Sequence, residues 1–473
     1  MAKKFIKLKS EDLSEWYNDL VVKAELADYS PVKGCMVIRP YGYAIWERIQ
    51  SFMDKFIKEK GVQNAYFPLF IPESFLKKEK EHVAGFAPEL AVVTMGGGQE
   101  LTEKLIVRPT SETIMYEMYK KWTQSWRDLP VKMNQWCNVV RWEQRTYLFL
   151  RTTEFLWQEG HCAHATAAEN QDMVQWALDL YKKTYTDLLA IYGVTGVKSD
   201  AEKFAGAGKT YSIEALMPNG KALQAGTSHD LGQNFAKSFD WSVQDQNGDK
   251  LYPYQNSWGL STRSIGGLIM VHGDDNGLVF PPQIAPIQLI IVPIPGHEKA
   301  VKLANSVNKN LKLKYRSQID DFEGETAGFK FNKWEMKGVP LRLEIGDKEA
   351  DINSVVVLRR DTLEKQTVKI ADLEKTIDQL LIDIQANLLQ KHKKFTQDNT
   401  FSVDSFDEFK KIMSTTRGFI SAHWCESSEC EAKIKEETKA TTRCLPDGQK
   451  DEKGVCVHCG KPSNHRWLFA QSY

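Results

Sequence analysis

The run Val139 to His161, VVRWEQRTYLFLRTTEFLWQEGH, decides how the rest of the chain is read. Arg141 stands beside Glu143 on an apolar, strand-like run, and Arg145 tips a polar loop. Arg151 then opens a second run that alternates through Phe155 and Trp157 to Glu159 and His161. Alternation at period two beyond a polar loop predicts a β-hairpin with one charged face. Arg141, Arg151, Glu159 and His161 on such a face need partners, because a buried charge left alone is strongly unfavourable. Planar guanidinium groups grip phosphate through paired hydrogen bonds, so a phosphate-rich ligand is the simplest partner for this face.

On the N-terminal side, Ser10 is placed to cap a helix carrying Leu13, Trp16, Tyr17, Leu20 and Ala24 at helical spacing. Pro40 starts a second helix with Ile45, Ile49, Phe52, Met53 and Phe56 on one face. Ala65 to Phe70 reads as a strand, and the polar segment that follows, through Gly96-Gly97-Gly98, reads as a loop over the site because it has neither periodicity. In Arg108-Pro-Thr-Ser-Glu-Thr, Thr110 or Ser111 can cap the helix of Ile114, Met115 and Met118, with Glu112 favouring its dipole.

On the C-terminal side, 62 residues separate His161 from Gln224, beginning with a helix through Met173, Trp176, Leu180 and Leu188. Phe204 opens a glycine-rich loop, Lys209 to Ala215 is strand-like, and Leu223-Gln-Ala-Gly-Thr-Ser-His-Asp-Leu-Gly reads as a strand running into a turn. Gly226 and Gly232 there serve equally for close backbone approach or for a bulge. Arg263 precedes the apolar run Ile265 to Val271, in which Gly266 and Gly267 allow tight packing. By residue type alone, a structural role is the commoner fate of lone histidines such as His161 and His229.

Pro281, Pro282 and Pro286 mark a boundary. Beyond it, strands at Ile287 to Val292, Leu341 to Ile345 and Ser354 to Leu358 alternate with helices, which predicts a small α/β domain with a mixed sheet. It closes with a helix from Leu373 to Leu388 that runs into Lys391-His-Lys-Lys, read as a solvated basic end. In the tail, Cys425-x4-Cys430 and Cys456-x2-Cys459 are separated by 25 residues. Two close pairs suit four thiolate ligands of a structural Zn²⁺ better than disulfides, with Cys444 near the metal but not on it.

Length and charge set the limits. At 473 residues the chain is expected to hold two or three domains. Its 62 Lys+Arg balance 62 Asp+Glu, so any nucleic-acid contact must come from local patches. No apolar run approaches the roughly eighteen residues of a membrane helix, and MAKKFIKLKS has no signal-peptide core. A cytoplasmic protein without membrane contact is expected.

The Val139–His161 segment resembles motif 2 of the class II aminoacyl-tRNA synthetases. The wording RWE then LRTTEFLWQEGH is similar to the prolyl family of the type found in archaea and eukaryotes and in some bacteria. VIRPYGYAIWERIQ resembles motif 1, a dimer-interface element, and Asn256 to Pro282 resembles motif 3. The resemblance implies an α/β and α+β multidomain protein. Its parts are a class II catalytic core on an antiparallel sheet over residues 1–284, an α/β anticodon-binding domain over 285–395 and a zinc-binding C-terminal domain over 396–473.

It also implies an enzyme that makes prolyl-adenylate from L-proline and ATP with Mg²⁺, charges tRNA(Pro) and forms a homodimer. Residue by residue, Arg141 would bridge the proline carboxylate and the α-phosphate, and Glu143 and Thr152 would meet adenine or its surroundings. Arg151 and Arg263 would hold the distal phosphates, and Gln224 and Thr227 would lie at ATP. Thr110 and Glu112 would take the proline ammonium, Trp157, Glu159, His161, Phe204 and His229 would shape the ring pocket, and Ser261 would line the site. Glu335, Arg342 and Lys348 would read the guanines of the anticodon, and Tyr473 would dock on the catalytic domain. The editing insertion found in bacterial-type relatives has no room here, so activation of alanine or cysteine without hydrolysis of the mischarged tRNA is expected. Synthetases for threonine, glycine or histidine are disfavoured by the WQEGH and GTSH wording. A catalytically dead paralogue would be expected to lack Arg141, Arg151 or Arg263, and all three are present.

Overall fold

The computed structural model of the chain describes residues 6–76 and 90–473. An antiparallel arrangement dominates, as the hairpin predicts. Strands Val131–Val140 and Glu154–His164 pair over ten positions, and Tyr254–Ser261, Ala222–Gly232, Lys209–Leu216 and Val194–Val197 extend the sheet beyond them. Arg141 and Arg151 fall in the connection between the two long strands, not on them. Helix Ala167–Lys183 covers one face, capped by a Thr166/Glu169 box, and the other face is left for a ligand.

Period two explains the face assignment. At Gly160, on the covered side of its strand, an added Cβ would come within 2.1 Å of the Trp258 ring, so only glycine lets the indole lie flat on the sheet. Gly226 likewise makes room for the Tyr181 ring, while Gly232 sits at a register shift with φ +53°, which is the bulge alternative.

Several local expectations change. The first helix, Leu13–Lys23, is capped by Asp12, not Ser10: its carboxylate accepts from Ser14 and Glu15 N–H. Residues 65–69 form no strand; short strands Gln63–Asn64 and Phe70–Pro72 flank them. The Gly96–Gly98 segment is the turn of a hairpin, Ala91–Gly96 with Gln99–Val107, while the part over 77–89 lies outside the described residues.

The anticodon-type region has the expected mixed sheet. Leu289–Pro293 is parallel to Ser317–Ile319 and to Leu341–Ile345, and Ser354–Arg359 and Lys365–Lys369 add antiparallel strands. Along its closing helix, Ile370–Asp398, Lys391 and Lys394 are exposed as expected, but His392 between them is not. His392 is buried within it: Nδ1 accepts from Tyr192 N–H at 3.0 Å, and Nε2 donates to the Leu216 carbonyl at 2.9 Å. That neutral imidazole bolts the helix to the catalytic sheet.

The C-terminal region continues the same sheet. Ala440–Pro446 pairs with Val194–Val197, and Arg466–Gln471, Phe419–His423 and Thr400–Ser402 follow, giving eleven strands in all. Cys444 lies on the strand at this seam and packs with Leu216, Ala222 and Leu468. Contrary to expectation it is not grouped with the other tail cysteines, because period two along its strand turns it toward the catalytic sheet. Tyr473 docks as expected: its N–H reaches the Ala222 carbonyl at 3.1 Å, and Asn219 donates to its hydroxyl at 3.3 Å.

Candidate active site

Register alone assembles one face. Gln135 pairs with Glu159 and Met133 with His161 across the hairpin; on the other side Trp157, Glu159 and His161 oppose Ser261, Gly259 and Ser257. Thr227 and His229 then oppose Gly259 and Ser257. Of these, Trp157, Glu159, His161, Thr227, His229, Ser257, Gly259 and Ser261 line a cavity of about 200 Å³ together with Thr110, Glu112, Arg141, Phe204, Gln224 and Arg263. Twelve of the residues expected from the sequence therefore share one cavity.

Arg141 lies over the aromatic floor, its guanidinium carbon 5.4 Å from the Trp157 ring and 5.6 Å from that of Phe155, with Nε donating to the Pro109 carbonyl. Arg263 opens helix Arg263–His272 and is anchored by Nε to the Leu150 carbonyl at 3.0 Å. Thr110 donates its hydroxyl proton to Glu112, so both are held in the turn that opens helix Glu112–Trp122. Ser111 holds the N-cap position of helix Glu112–Trp122 without capping it. Its hydroxyl instead donates to Glu159 at 2.5 Å, and its N–H donates to the same carboxylate at 3.2 Å.

Glu159 is the hub. Besides Ser111 it accepts from Gln135 Nε2 at 2.7 Å and from His161 Nε2 at 2.8 Å, and it and His161 are each 1% exposed. Burial pushes the Glu159 carboxyl up, yet the His161 hydrogen bond and charge, with the Ser111 and Gln135 donors, hold it below the usual range. Burial disfavours charge on His161, but the bond to Glu159 and the charges of Glu112 and Glu159 raise it above its ordinary value. The pair is ionic, and His161 Nδ1 has no partner among the described residues. His229 is the opposite case: burial, then the charges of His161, Lys198 and Arg141, push it down to about 3, so it is neutral, with Nδ1 at 3.0 Å from the Thr210 hydroxyl. The Phe204 ring covers it at 4.5 Å.

Not every expected residue is here. Glu143 and Arg151 pair with each other at 2.6 Å and line a neighbouring cavity instead, which Arg263 shares. Thr152 is buried with its hydroxyl donating to the Glu154 carbonyl at 2.7 Å, and it lines neither cavity. Ser111 as a donor, Gln135, Lys198, Glu202 and Thr210 were not singled out from sequence. Gln135 alone had a signal there, since counting back along the hairpin from Glu159 reaches it.

In the anticodon-type region Arg342, expected to meet a base, is 4% exposed and closed in by Glu335 at 2.8 Å, Glu344 at 2.9 Å and the Phe331 ring at 4.2 Å. Its guanidinium is engaged within the fold, while Lys348 is exposed on helix Asp347–Asp351.

The sulfur atoms of Cys425, Cys430, Cys456 and Cys459 all lie within 4.8 Å of one another. The Cys430–Cys456 and Cys425–Cys459 separations are 3.6 and 3.5 Å. Tetrahedral Zn–S bonds of about 2.3 Å place sulfurs roughly 3.8 Å apart, so this donor set fits a zinc ion. Among the described residues no helix is long and apolar enough to cross a membrane.

Comparison with known proteins agrees along the whole length. Residues 93–272 match the tRNA synthetase class II core domain (G, H, P, S and T), 288–380 the anticodon binding domain, and 406–473 the prolyl-tRNA synthetase C-terminal domain. The chain is 54% identical over 463 residues to a proline–tRNA ligase of Alkaliphilus oremlandii, covering 98% of this chain and 96% of that one. It is 53% identical over 470 residues to one of Natranaerobius thermophilus, covering 98% and 97%. A crystal structure of prolyl-tRNA synthetase from Cryptosporidium parvum, complexed with halofuginone and AMPPNP, superposes with a TM-score of 0.96 at 44% identity over 99% of both chains.

Proposed function

The chain belongs to the prolyl-tRNA synthetases of class II and activates L-proline with ATP for transfer to tRNA, and we propose that both steps are carried out in the cavity beneath Arg141. One observation supports this most: the strand register puts the Glu159–His161 ion pair, neutral His229 and the Trp157 wall on the same face as Arg141 and Arg263.

Two anions must meet for adenylation. Arg141 is placed to hold the proline carboxylate against the α-phosphate of MgATP, and Arg263 to hold phosphates farther along. The carboxylate oxygen attacks the α-phosphorus in line and pyrophosphate leaves. A ribose hydroxyl of the tRNA 3′ end then takes the acyl group and AMP leaves. No protein nucleophile is needed. Thr110 and Glu112 accept from the secondary ammonium of proline, His161 Nδ1–H and His229 border the ring, and Phe204 and Trp157 form flat walls suited to a rigid pyrrolidine. Gln224 and Thr227 lie toward the nucleoside, with the Glu143–Arg151 pair on its outer side in the neighbouring cavity.

The four tail cysteines hold a structural Zn²⁺. In the anticodon region Arg342 fixes Glu335, whose carboxylate matches the paired N–H donors of a guanine edge, and Lys348 supplies charge to the backbone. A homodimer is proposed through the motif 1 region, where Tyr29, Val37 and Tyr43 are 60%, 51% and 40% exposed. A cytoplasmic setting suits thiolates that bind metal.

The test is ATP–pyrophosphate exchange with each of the twenty amino acids. Proline alone should support strong exchange, and Arg141→Ala should lower it by at least about a thousandfold. Exchange that depends on another amino acid, or on none, would overturn the assignment.

A further inference from the structure

Beyond Arg263 lies a second cavity, of about 910 Å³, between the catalytic sheet and the C-terminal unit. Its charge balance is uneven. Five cations, Arg145, Arg151, Lys221, Arg263 and Arg417, line it against three acids, of which Asp12 is engaged in capping helix Leu13–Lys23, Glu143 is paired with Arg151, and Glu11 makes no ion pair among the described residues. Arg145, Lys221 and Arg417 line the same space, and among the described residues none of them has a carboxylate at ion-pair distance. Arg417 Nε is buried without a hydrogen-bond partner among the described residues, which is costly unless a ligand completes it.

The fold brings two of these cations together by force of backbone geometry. Gly220, at φ +73°, turns the Lys209–Leu216 strand toward the next, and Gly418 N–H donates to its carbonyl at 3.0 Å. A Cβ on Gly220 would stand 2.6 Å from that of Arg417, so only glycine lets the two loops touch. Arg417 itself is held at φ +58°, an unfavourable conformation for a long side chain. Lys221, the next residue after Gly220, is pushed down by burial and by the like charge of Arg417. The Tyr473 ring closes the third side, 5.7 Å from Lys221 Nζ.

We propose that Lys221 and Arg417, with Arg145 at the rim, form a phosphate subsite next to the reaction centre, which takes either a phosphodiester of the tRNA 3′ end or the distal phosphates of ATP. The inference rests on the synthetase reading, since it assumes that both ligands come to Arg263. Paired cations without acid partners, at the wall shared with Arg263, are suited to phosphate and to little else.

Full-length Lys221→Gln, Arg417→Gln and the double variant separate the sources. Equilibrium retention of a tRNA(Pro) transcript needs no catalysis, and KM for ATP in proline-dependent exchange needs no tRNA. If the phosphodiester is the source, tRNA affinity falls roughly five- to tenfold per variant, the salt dependence of binding loses about one unit of slope, and KM for ATP holds. If ATP is the source, its KM rises by the same factor and tRNA retention holds. Unchanged values on both arms, from variants with the wild-type unfolding midpoint, overturn the subsite. Lys221→Gln leaves the strained Arg417 loop intact and decides the question if Arg417→Gln does not fold. Wild-type enzyme that retains tRNA yet shows no proline-dependent exchange would refute the synthetase reading and leave the tRNA arm in force.

Discussion

Glu159 and Glu214 are two carboxylates buried on the same sheet, and they are satisfied in different ways. Glu214 accepts from Arg443 Nε and Nη2 at 3.0 and 2.8 Å and from the Ser212 hydroxyl at 2.8 Å, with Lys198 at 3.6 Å. Glu159 is held by Ser111, Gln135 and His161, but around it His161 Nδ1 and the Ser257 hydroxyl have no partner. Both carboxyls are driven up by burial and more than compensated by their cationic neighbours, so both are ionised. What differs is completeness. The Glu214 network finds its partners within the protein and joins the C-terminal unit to the core, with Lys198 reaching the cavity wall as well, while the network around Glu159 leaves two polar atoms without a partner among the described residues. Leaving a buried polar atom unsatisfied costs about 1–3 kcal/mol, a cost a fold sustains where a ligand will remove it.

The largest expected effect comes from metal removal. Structural zinc in a tetrathiolate site is worth about 10–16 kcal/mol of coupled folding. Helix Ser428–Thr438 carries Cys430, and next to it Glu431, which accepts from the Ser199 hydroxyl at 3.1 Å and from Thr442. Chelation should therefore raise amide exchange across Ala440–Pro446 and Val194–Val197 while Glu154–His164 stays protected. Equal loss in both regions would erase the distinction between seam and site. Next in size is Glu214→Ala, which strands Arg443 and Lys198 and should cost about 3–5 kcal/mol in urea unfolding. A shift below about 1 kcal/mol would show that the seam is not closed.

The cavity pair predicts a pH window. Glu159 lies below its ordinary 4.5, so its contribution is complete above 4.5 and is lost as pH falls through its depressed value. His161 lies above its ordinary 6.5, so its contribution is complete below 6.5 and is lost as pH rises through the raised value. The ion pair is at full strength from pH 4.5 to 6.5, and kcat/KM for proline should decline on the alkaline side as His161 loses its proton. Glu159→Gln should move that limb to lower pH; an unmoved limb would assign it to another group. The smallest effect is selectivity. A pocket that discriminates by shape separates close apolar analogues by about 1–3 kcal/mol, so alanine should be activated measurably, and the enzyme should leave alanyl-tRNA(Pro) intact. Rapid hydrolysis of that species would contradict the reading.

How much of this could be read in the sequence depended on whether one face was buried. Trp157, Glu159 and His161 declare themselves because their strand has a covered side, and alternation records it. The Ala91–Gly96 and Gln99–Val107 strands are exposed on most positions, so no alternation marks them and the hairpin passes for a loop. The Ser111 bond to Glu159 joins positions 48 apart in sequence, and the Ser-x-x-x context gives only a cap. Arg342 looks like a surface cation until the packing of Phe331, Glu335 and Glu344 around it is known. Cys444 shares the tail with the metal-type cysteines yet belongs to the seam, because strand direction rather than sequence distance sets its neighbours.

The contrast between site and seam is tested most directly by comparing Glu159→Gln with Glu214→Gln, each measured for proline-dependent ATP–pyrophosphate exchange and for its unfolding midpoint. The structure predicts that Glu159→Gln lowers kcat/KM for proline by roughly a hundredfold while remaining folded, and that Glu214→Gln lowers the midpoint with KM for proline unchanged. Two variants that lose stability together, with proline kinetics intact in both, would contradict the assignment of Glu159 to the substrate.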